Sequence, residues 1–196
     1  YQQGDELFRQ ATKAPKDDRA KLFSKPADRF RKAGNAAHGS GLEQDARFMQ
    51  GESLFFADDL MEARDVYETL QKEFPRNKFS DRVAARLFSI GKYWIDTSKA
   101  GADPWYSLNL FDRKRPTRDS VGHAIKVLDQ IRYDNPTGKL ADDATMAAAV
   151  EHIRNERFER ADEFLTDLRE TFTDSDHQFL AHLLGIRCKL EVYAGP

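Results

Sequence analysis

The sequence predicts an all-α protein, a right-handed solenoid of helical hairpins with a long insertion in the middle repeat. Small and apolar residues recur at helical spacing in residues 51–75, GESLFFADDLMEARDVYETLQKEFP, and the same pattern returns further along the chain. Such a period is the signature of a helical-repeat architecture. With 40 % hydrophobic and 33 % charged residues, the composition is that of a folded protein. We therefore predict one helical-repeat domain over residues 1–196.

The repeated core positions define the period. They are Leu60, Ala63, Tyr67, Leu70 and Phe74, then Val121, Ala124, Leu128, Ile131 and Asn135, then Phe158, Ala161, Leu165, Leu168 and Phe172. Within each set the residues share one face of a helix, because residues three and four apart lie on the same side. Each hairpin is expected to cover the apolar face of its neighbour.

Residues 1–40 predict a degenerate first hairpin. Residues 14–18, APKDD, break its two helices apart, and the second helix carries the apolar positions Phe23 and Phe30. Pro26 replaces the small contact residue of the other repeats. A helix tolerates proline near its first turn or at a kink, so we expect Pro26 at one of these places.

The clearest repeat occupies residues 42–77. Asp58 and Asp59 precede its second helix, where carboxylates accept hydrogen bonds from unpaired backbone amides. Gly51 and Ala63 lack bulk at the positions where the two helices are expected to cross. They therefore permit the closest approach of the two helix axes.

The repeat over residues 80–137 contains an insertion at 98–117. Gly91 and Ala124 are 33 positions apart, whereas the corresponding residues of the preceding repeat are 12 apart. Solenoids confine such insertions to one edge, which is often the edge that recognises a partner.

A further repeat covers residues 140–174, with Ala149 and Ala161 as its small pair, and a final helix covers 176–194. No partner helix pairs with the last one in the repeat pattern. We expect it either to cap the solenoid or to pack against a further segment.

The charge distribution argues against nucleic acid as a partner. The formal net charge is -2 at pH 7, and acidic and basic residues alternate throughout the chain. No overall field therefore attracts the protein to nucleic acid or to an anionic membrane. The single cysteine, Cys188, lies in an apolar helical run and is interpreted as a small buried hydrophobic residue.

The residues that could carry catalysis or bind a metal have structural explanations. The HExxH, GxxxxGK[ST], GxSxG and GxGxxG motifs are absent. His177 and His182 are separated by about 140° around a helix, a poor arrangement for sharing a metal. The pairs Asp58-Asp59 and 142–143 stand where helices begin, so capping is favoured over acid–base catalysis. We predict no enzyme activity, no cofactor and no metal site.

The insertion carries the only dense basic cluster beside aromatic residues. Three interpretations are open: a solvated loop whose aromatics pack on the repeats, a protein-binding edge, or a contact to phosphate, nucleic acid or lipid headgroups. The cluster consists of Arg113, Lys114, Arg115 and Arg118. Four cations without a wider positive surface would bind polyanions weakly. The candidate partner edge comprises Trp105, Tyr106, Phe111, Asp112, Arg113 and Arg115.

A second candidate surface is the concave side of the solenoid, which the first helix of each hairpin lines. A docked peptide helix or strand is expected there. The alternative is that the aromatic residues at these positions belong to the core. The candidate groove residues are Phe48, Glu52, Phe55, Phe88, Lys92 and Ile95.

The repeated spacing resembles the tetratricopeptide repeat, on Gly51, Leu54, Ala63, Tyr67, Leu70 and Pro75 and again on Leu87, Ile90, Gly91 and Trp94. The insertion segment 109–119, NLFDRKRPTRD, with the stop Asn135-Pro136 after the next helix, resembles the outer-membrane assembly lipoprotein BamD family. This resemblance implies a periplasmic, outer-membrane-associated scaffold that binds assembly subunits and unfolded β-barrel proteins. That family has a lipidated cysteine near the mature N-terminus, so any membrane association is expected to depend on an anchor outside these residues.

The sequence thus predicts a non-enzymatic scaffold that binds other proteins. Two alternatives stay open, a generic tetratricopeptide adaptor and a helical accessory domain of a larger enzyme.

Overall fold

A computed structural model describes residues 1–101, 108–109 and 111–194, apart from the side chains of Lys16 and Asp17. The described residues form an all-α structure, without any β-strand among them. No helix within them is both long enough and apolar enough to span a bilayer. The helices are α1 (Gln2–Lys13), α2 (Lys16–Ala36), α3 (Gly41–Phe56), α4 (Leu60–Glu73), α5 (Ser80–Lys99), α6 (Ser120–Asp134), α7 (Ala141–Arg154), α8 (Phe158–Thr171) and α9 (Gln178–Ala194).

The chain divides into two compact units. The first consists of residues 1–86 with 101–120, and the second consists of residues 87–100 with 121–196. In the first unit α1 packs on α2, α2 on α3, and α3 on α4. In the second unit α7 packs on α8, and α8 on α9. In these five pairs, helices adjacent in sequence are therefore neighbours in space.

The core positions predicted from the repeat are largely buried. Among them, Ala63, Tyr67, Leu70, Ala124, Leu128, Ile131, Ala161, Leu165 and Leu168 have at most 2 % of their surface exposed. Burial of each large apolar side chain among them contributes about 1.5–3 kcal/mol to stability. The shared pattern thus marks the apolar faces that hold the helices together.

Gly51 allows α3 and α4 to approach closely, as the sequence predicts. A β-carbon at this position would lie 2.5 Å from Cε1 of Tyr67. The Tyr67 ring is fully buried and occupies the space that a side chain at Gly51 would need. The small residue is required by this ring.

Pro26 lies in the interior of α2 and not near its first turn, because the preceding break shrinks to Ala14 and Pro15 and the helix starts at Lys16. Two other local expectations differ from the structure. Asp59 is the N-cap of α4 and accepts from the Glu62 amide, whereas Asp58 takes the turn position at φ 63°. The connection between α5 and α6 runs over residues 100–119, two residues later than predicted.

The carboxylates of Asp142 and Asp143 do not cap α7, which begins after Leu140 without a side-chain cap. Instead, Asp142 accepts a hydrogen bond from the Ser175 hydroxyl at 2.7 Å. Asp143 Oδ1 lies 2.8 Å from Nε2 of His177. These two acids therefore tie the start of α7 to the loop between α8 and α9.

Candidate protein-binding surfaces

Glu52 lies at the centre of a polar network in the first unit. Its side chain is almost fully buried and accepts a hydrogen bond of 2.7 Å from the Tyr67 hydroxyl. Arg86 binds both carboxylate oxygens, with Nε 2.7 Å from Oε1 and Nη2 2.8 Å from Oε2. Burial raises the pKa of Glu52, but the hydrogen bonds from Arg86 and Tyr67 and the charges of Arg86 and Arg82 outweigh it and lower that pKa.

The same arginine covers the aromatic residues of α3. The guanidinium carbon of Arg86 lies 4.6 Å from the ring centre of Phe55 and 5.0 Å from that of Phe56. Cation–π contacts of this kind hold the arginine against both rings. Phe55 is half-buried beneath the arginine and Phe56 is exposed. The surface of the first unit therefore presents the Arg86 guanidinium packed on two aromatic rings.

Phe48 has a packing role. Its ring stacks on Phe79 with centres 4.1 Å apart and planes inclined by 5°. Only 1 % of the residue is exposed, and Arg82 lies 4.4 Å from the ring centre. Of the three candidate groove residues in the first unit, Phe48 and Glu52 therefore support the surface from below, and Phe55 is the one that is partly accessible.

The described part of the insertion is a folded loop organised by Asn109. Its Nδ2 donates to the carbonyl oxygens of Asp112 and Arg115 at 2.6 and 2.8 Å, and its Oδ1 accepts from the Asp112 amide at 2.9 Å. Its backbone amide donates to the carbonyl of Thr117 at 3.0 Å. One asparagine thus ties its own backbone and side chain to residues 112–117, and Asp112 adds an ion pair to Arg115 at 2.9 Å.

This loop is attached to the turn between α3 and α4. Arg113 Nη1 lies 3.0 Å from Oδ2 of Asp59, and Lys114 Nζ lies 2.9 Å from Oδ2 of Asp58. The carbonyl oxygen of Arg113 accepts from the amide of Met61, one of the amides that the first turn of α4 leaves unpaired. Two basic residues of the predicted cluster therefore act as structural anchors.

Phe111 is 94 % exposed on this anchored loop, so it does not pack on the repeats. Asp112, Arg113 and Arg115 take part in the contacts just described. Trp105 and Tyr106, the other two residues of the candidate partner edge, lie outside the described residues. Phe111 is the accessible member of the edge among those that are described.

In the second unit α5, α6 and α7 enclose a small cleft. It has a volume of about 220 Å³ and is lined by all three groove residues predicted for this part of the chain, namely Phe88, Lys92 and Ile95, together with Asp96, Lys99, Leu128, Ala147, Val150 and Glu151. Ile95 forms the floor, being 5 % exposed, whereas Phe88 is half-buried and Lys92 is exposed at the rim.

The charged wall of the cleft is pre-organised around Glu151. Lys99 Nζ lies 3.1 Å from its carboxylate, and Arg154 Nη1 lies 3.2 Å from it. Burial and the nearby charge of Asp96 raise the pKa of Glu151 above its usual value. Lys92 forms no ion pair within the part of the chain that the structure describes, so its charge remains available at the rim.

The contribution of α7 could not be found from the repeat pattern. Ala147 and Val150 belong neither to the small pairs nor to the repeated core positions. In the sequence they are simply part of an alanine-rich helical run. Their place in the cleft is seen only in the structure, where residues of α5, α6 and α7 line it together. The sequence does hold one signal for this surface. Ala147 and Val150 are three positions apart and Glu151 is next to Val150, which puts the three residues on one side of α7.

No known protein-family model matches the sequence, and no curated protein shows significant similarity to it. Among the described residues, no group of three or more histidine, cysteine, aspartate or glutamate side chains is arranged to hold a metal ion.

Proposed function

We propose that this protein is a non-enzymatic scaffold that binds a peptide segment of another protein in the cleft between α5 and α7. The observation that carries the proposal is the convergence of Phe88, Lys92 and Ile95 on one cleft with Val150 of α7. The cleft combines an apolar floor with charged groups at its rim. That combination suits a segment whose apolar side chain enters while its polar groups stay outside.

The charges favour a segment with an acidic residue next to the apolar one. Glu151 is already paired with Lys99 and Arg154, whereas Lys92 keeps an unpaired ammonium group among the described residues. A ligand carboxylate beside Lys92 would gain a charge-assisted hydrogen bond at an exposed rim. We therefore infer that Lys92 selects the charge of the ligand and that Phe88 and Ile95 accommodate its apolar side chain.

The proposal includes a tetratricopeptide-like right-handed solenoid as a single repeat domain. Its support is the packing of consecutive helices within each unit and the burial of the repeated core positions. We further propose a role like that of the BamD family, in the periplasm at the outer membrane, on the resemblance of segment 109–119 alone. A generic adaptor of the same repeat type remains the alternative, since the cleft would serve either role.

Fluorescence anisotropy with short synthetic peptides tests the binding site. The probes carry Phe or Leu beside Asp or Glu, and a second set carries Lys in place of the acid. We expect the acidic set to bind the wild-type chain and Lys92→Glu to raise the Kd by about tenfold or more. Lys72→Glu reverses a charge at an exposed position of α4 and serves as the matched control. Equal binding of both peptide sets, or no effect of Lys92→Glu, would overturn the assignment of this cleft.

A separate experiment distinguishes the BamD-like role from a generic adaptor. The probes are the purified periplasmic domains of an outer-membrane insertase and an unfolded β-barrel protein kept in urea until dilution. Binding of both probes, weakened by Lys92→Glu, supports the specific role. Binding of acidic peptides without binding of either probe leaves the generic adaptor and removes the BamD-like role.

A further inference from the structure

Helix α9 is fixed to the second unit by one face. Ala181, Gly185 and Cys188 are buried on that face. Arg169 of α8 lies against Gly185, where a β-carbon would collide with its guanidinium, and its Nη1 donates to the carbonyl oxygen of Ala181 at 3.0 Å. Gln178 Nε2 donates to the carbonyl oxygens at the end of α8 at 3.0 and 2.7 Å. The orientation of α9 on the unit is thus determined by packing and by hydrogen bonds.

The opposite face of α9 is a continuous apolar stripe. Its five large residues are between 53 % and 86 % exposed: Phe179, Leu183, Ile186, Leu190 and Tyr193. Their spacings of four, three, four and three keep them within an arc of about 80°, because successive residues turn by about 100°. This is the spacing of a coiled-coil seam, which buries its knobs against another helix.

We propose that this stripe binds the same stripe of a second copy, with the two α9 helices antiparallel and crossing at Ile186. The order of side chains along the stripe reads the same in both directions by type, with aromatic residues at its ends and aliphatic residues between. Antiparallel pairing therefore places Phe179 against Tyr193 of the other copy, Leu183 against Leu190, and Ile186 against itself. Such an isologous contact closes a two-fold dimer.

The area of the stripe matches what a dimer needs. With the exposed fractions of these five residues, the stripe presents about 700 Å² per copy, taking about 150–250 Å² as the surface of a large side chain. A contact that covers the stripe completely would bury about 1,400 Å² in the two copies together, which falls within the range of about 1,200–2,000 Å² for stable interfaces. Partial coverage by a single side chain of a partner would leave most of this surface in water.

The groups that flank the stripe predict how the dimer responds to salt. Antiparallel pairing brings His182 near Lys189 of the other copy and Arg187 near the other Arg187. Glu191 lies 3.8 Å from Arg187 in the same helix and offsets part of this repulsion. Salt screens the remaining repulsion between exposed charges, so association should strengthen as salt rises. Antiparallel helix dipoles also favour this direction.

Sedimentation equilibrium of the protein over a series of concentrations tests the dimer. We expect a reversible monomer–dimer equilibrium whose Kd falls as NaCl increases. Ile186→Glu and, independently, Leu183→Ser should each raise the Kd by about tenfold or more. Leu42→Glu changes an exposed apolar residue of the other unit and serves as the control, with an unchanged Kd. Circular dichroism melts confirm that each variant is folded.

Disulfide trapping tests the direction of the helices. Under mild oxidation Ile186→Cys should form a covalent dimer, because the two copies of this position meet at the two-fold axis. Phe179→Cys should not, since its two copies would be about 21 Å apart along the helix. The wild-type chain, whose Cys188 is buried, is the uncrosslinked control.

Each result decides the proposal. A monomer at every concentration, as expected if α9 instead binds a helix of a different protein, overturns self-association. A dimer that persists in both Ile186→Glu and Leu183→Ser places the interface elsewhere and equally overturns it. Trapping by Phe179→Cys shows a parallel pair and overturns the antiparallel arrangement. None of these results bears on peptide binding at the α5–α7 cleft, whose own variants test it.

Discussion

Arg86 forms a bidentate ion pair with the buried carboxylate of Glu52, with both N–O distances below 3 Å. The two residues are 34 positions apart in sequence, and the pair links α5 to α3 within the first unit. The Tyr67 hydroxyl joins them from α4. A buried carboxylate is stable only when its lone pairs are satisfied, so this network specifies how three helices meet.

Glu52→Gln is expected to destabilise the first unit. It keeps the size of the side chain but leaves Arg86 without a charged partner, and loss of one member of a buried pair costs about 3–5 kcal/mol. Because Arg86 is 31 % exposed, its charge is partly solvated and we expect a loss of about 2 kcal/mol. Urea denaturation at pH 7 measures this change. Glu73→Gln, at an exposed position of α4, is the control, and equal stability of the two variants would contradict the role of the pair.

The lowered pKa of Glu52 predicts the pH dependence of stability. Its usual value of 4.5 applies to the unfolded chain, and the folded value lies below it. The unfolded state therefore takes up the proton first as pH falls, and the contribution of the ion pair is lost as pH drops from 4.5 through the folded pKa. At pH 5 and above the contribution is largely present. The difference in unfolding free energy between wild type and Glu52→Gln should shrink on acidification below pH 4.5, and a constant difference would contradict this.

Gly51→Ala should be destabilising although alanine favours helices. The added β-carbon would stand 2.5 Å from the buried Tyr67 ring, so the ring must shift and the core is overpacked, at a cost of about 1–3 kcal/mol. Thermal melts give the measurement. Gly34→Ala is a matched control in α2, because there the nearest atoms are 3.6 Å away. The control should gain about 0.5–1 kcal/mol from helix propensity, and a similar gain at Gly51 would show that α3 and α4 are further apart.

Asn109→Ala should loosen the insertion loop and leave the helices intact. It removes the donors to the carbonyls of Asp112 and Arg115 and the acceptor for the Asp112 amide. Hydrogen exchange of the amides over residues 112–117 should accelerate, because each lost hydrogen bond was worth about 0.5–1.5 kcal/mol. The midpoint of thermal unfolding should change by no more than a few degrees.

The matched control for this loop is Asn155→Ala, since Asn155 likewise donates its side-chain amide to a backbone carbonyl, that of Glu151. Exchange over residues 112–117 should be unchanged in that variant. Unaltered exchange there in Asn109→Ala as well would show that the contacts of Arg113 and Lys114 alone hold the loop.

The sequence by itself determined the helical character and the buried face of each hairpin, because helical spacing of apolar residues fixes which side must leave water. It located Gly51 as a crossing point and Cys188 as a buried residue, since small residues on an apolar face indicate close packing. Phe88, Lys92 and Ile95 could be placed on one face of α5 for the same reason.

Only the tertiary structure decided what each polar residue does. Asp58 and Asp59 look alike in the sequence, yet one occupies a left-handed turn and the other caps α4, and each pairs with a base more than 50 residues away. Glu52 was expected on a surface, but Arg86 and Tyr67 allow it to be buried. Helical periodicity reports the direction of a side chain from its own helix. Which partner meets it there depends on the packing of distant segments.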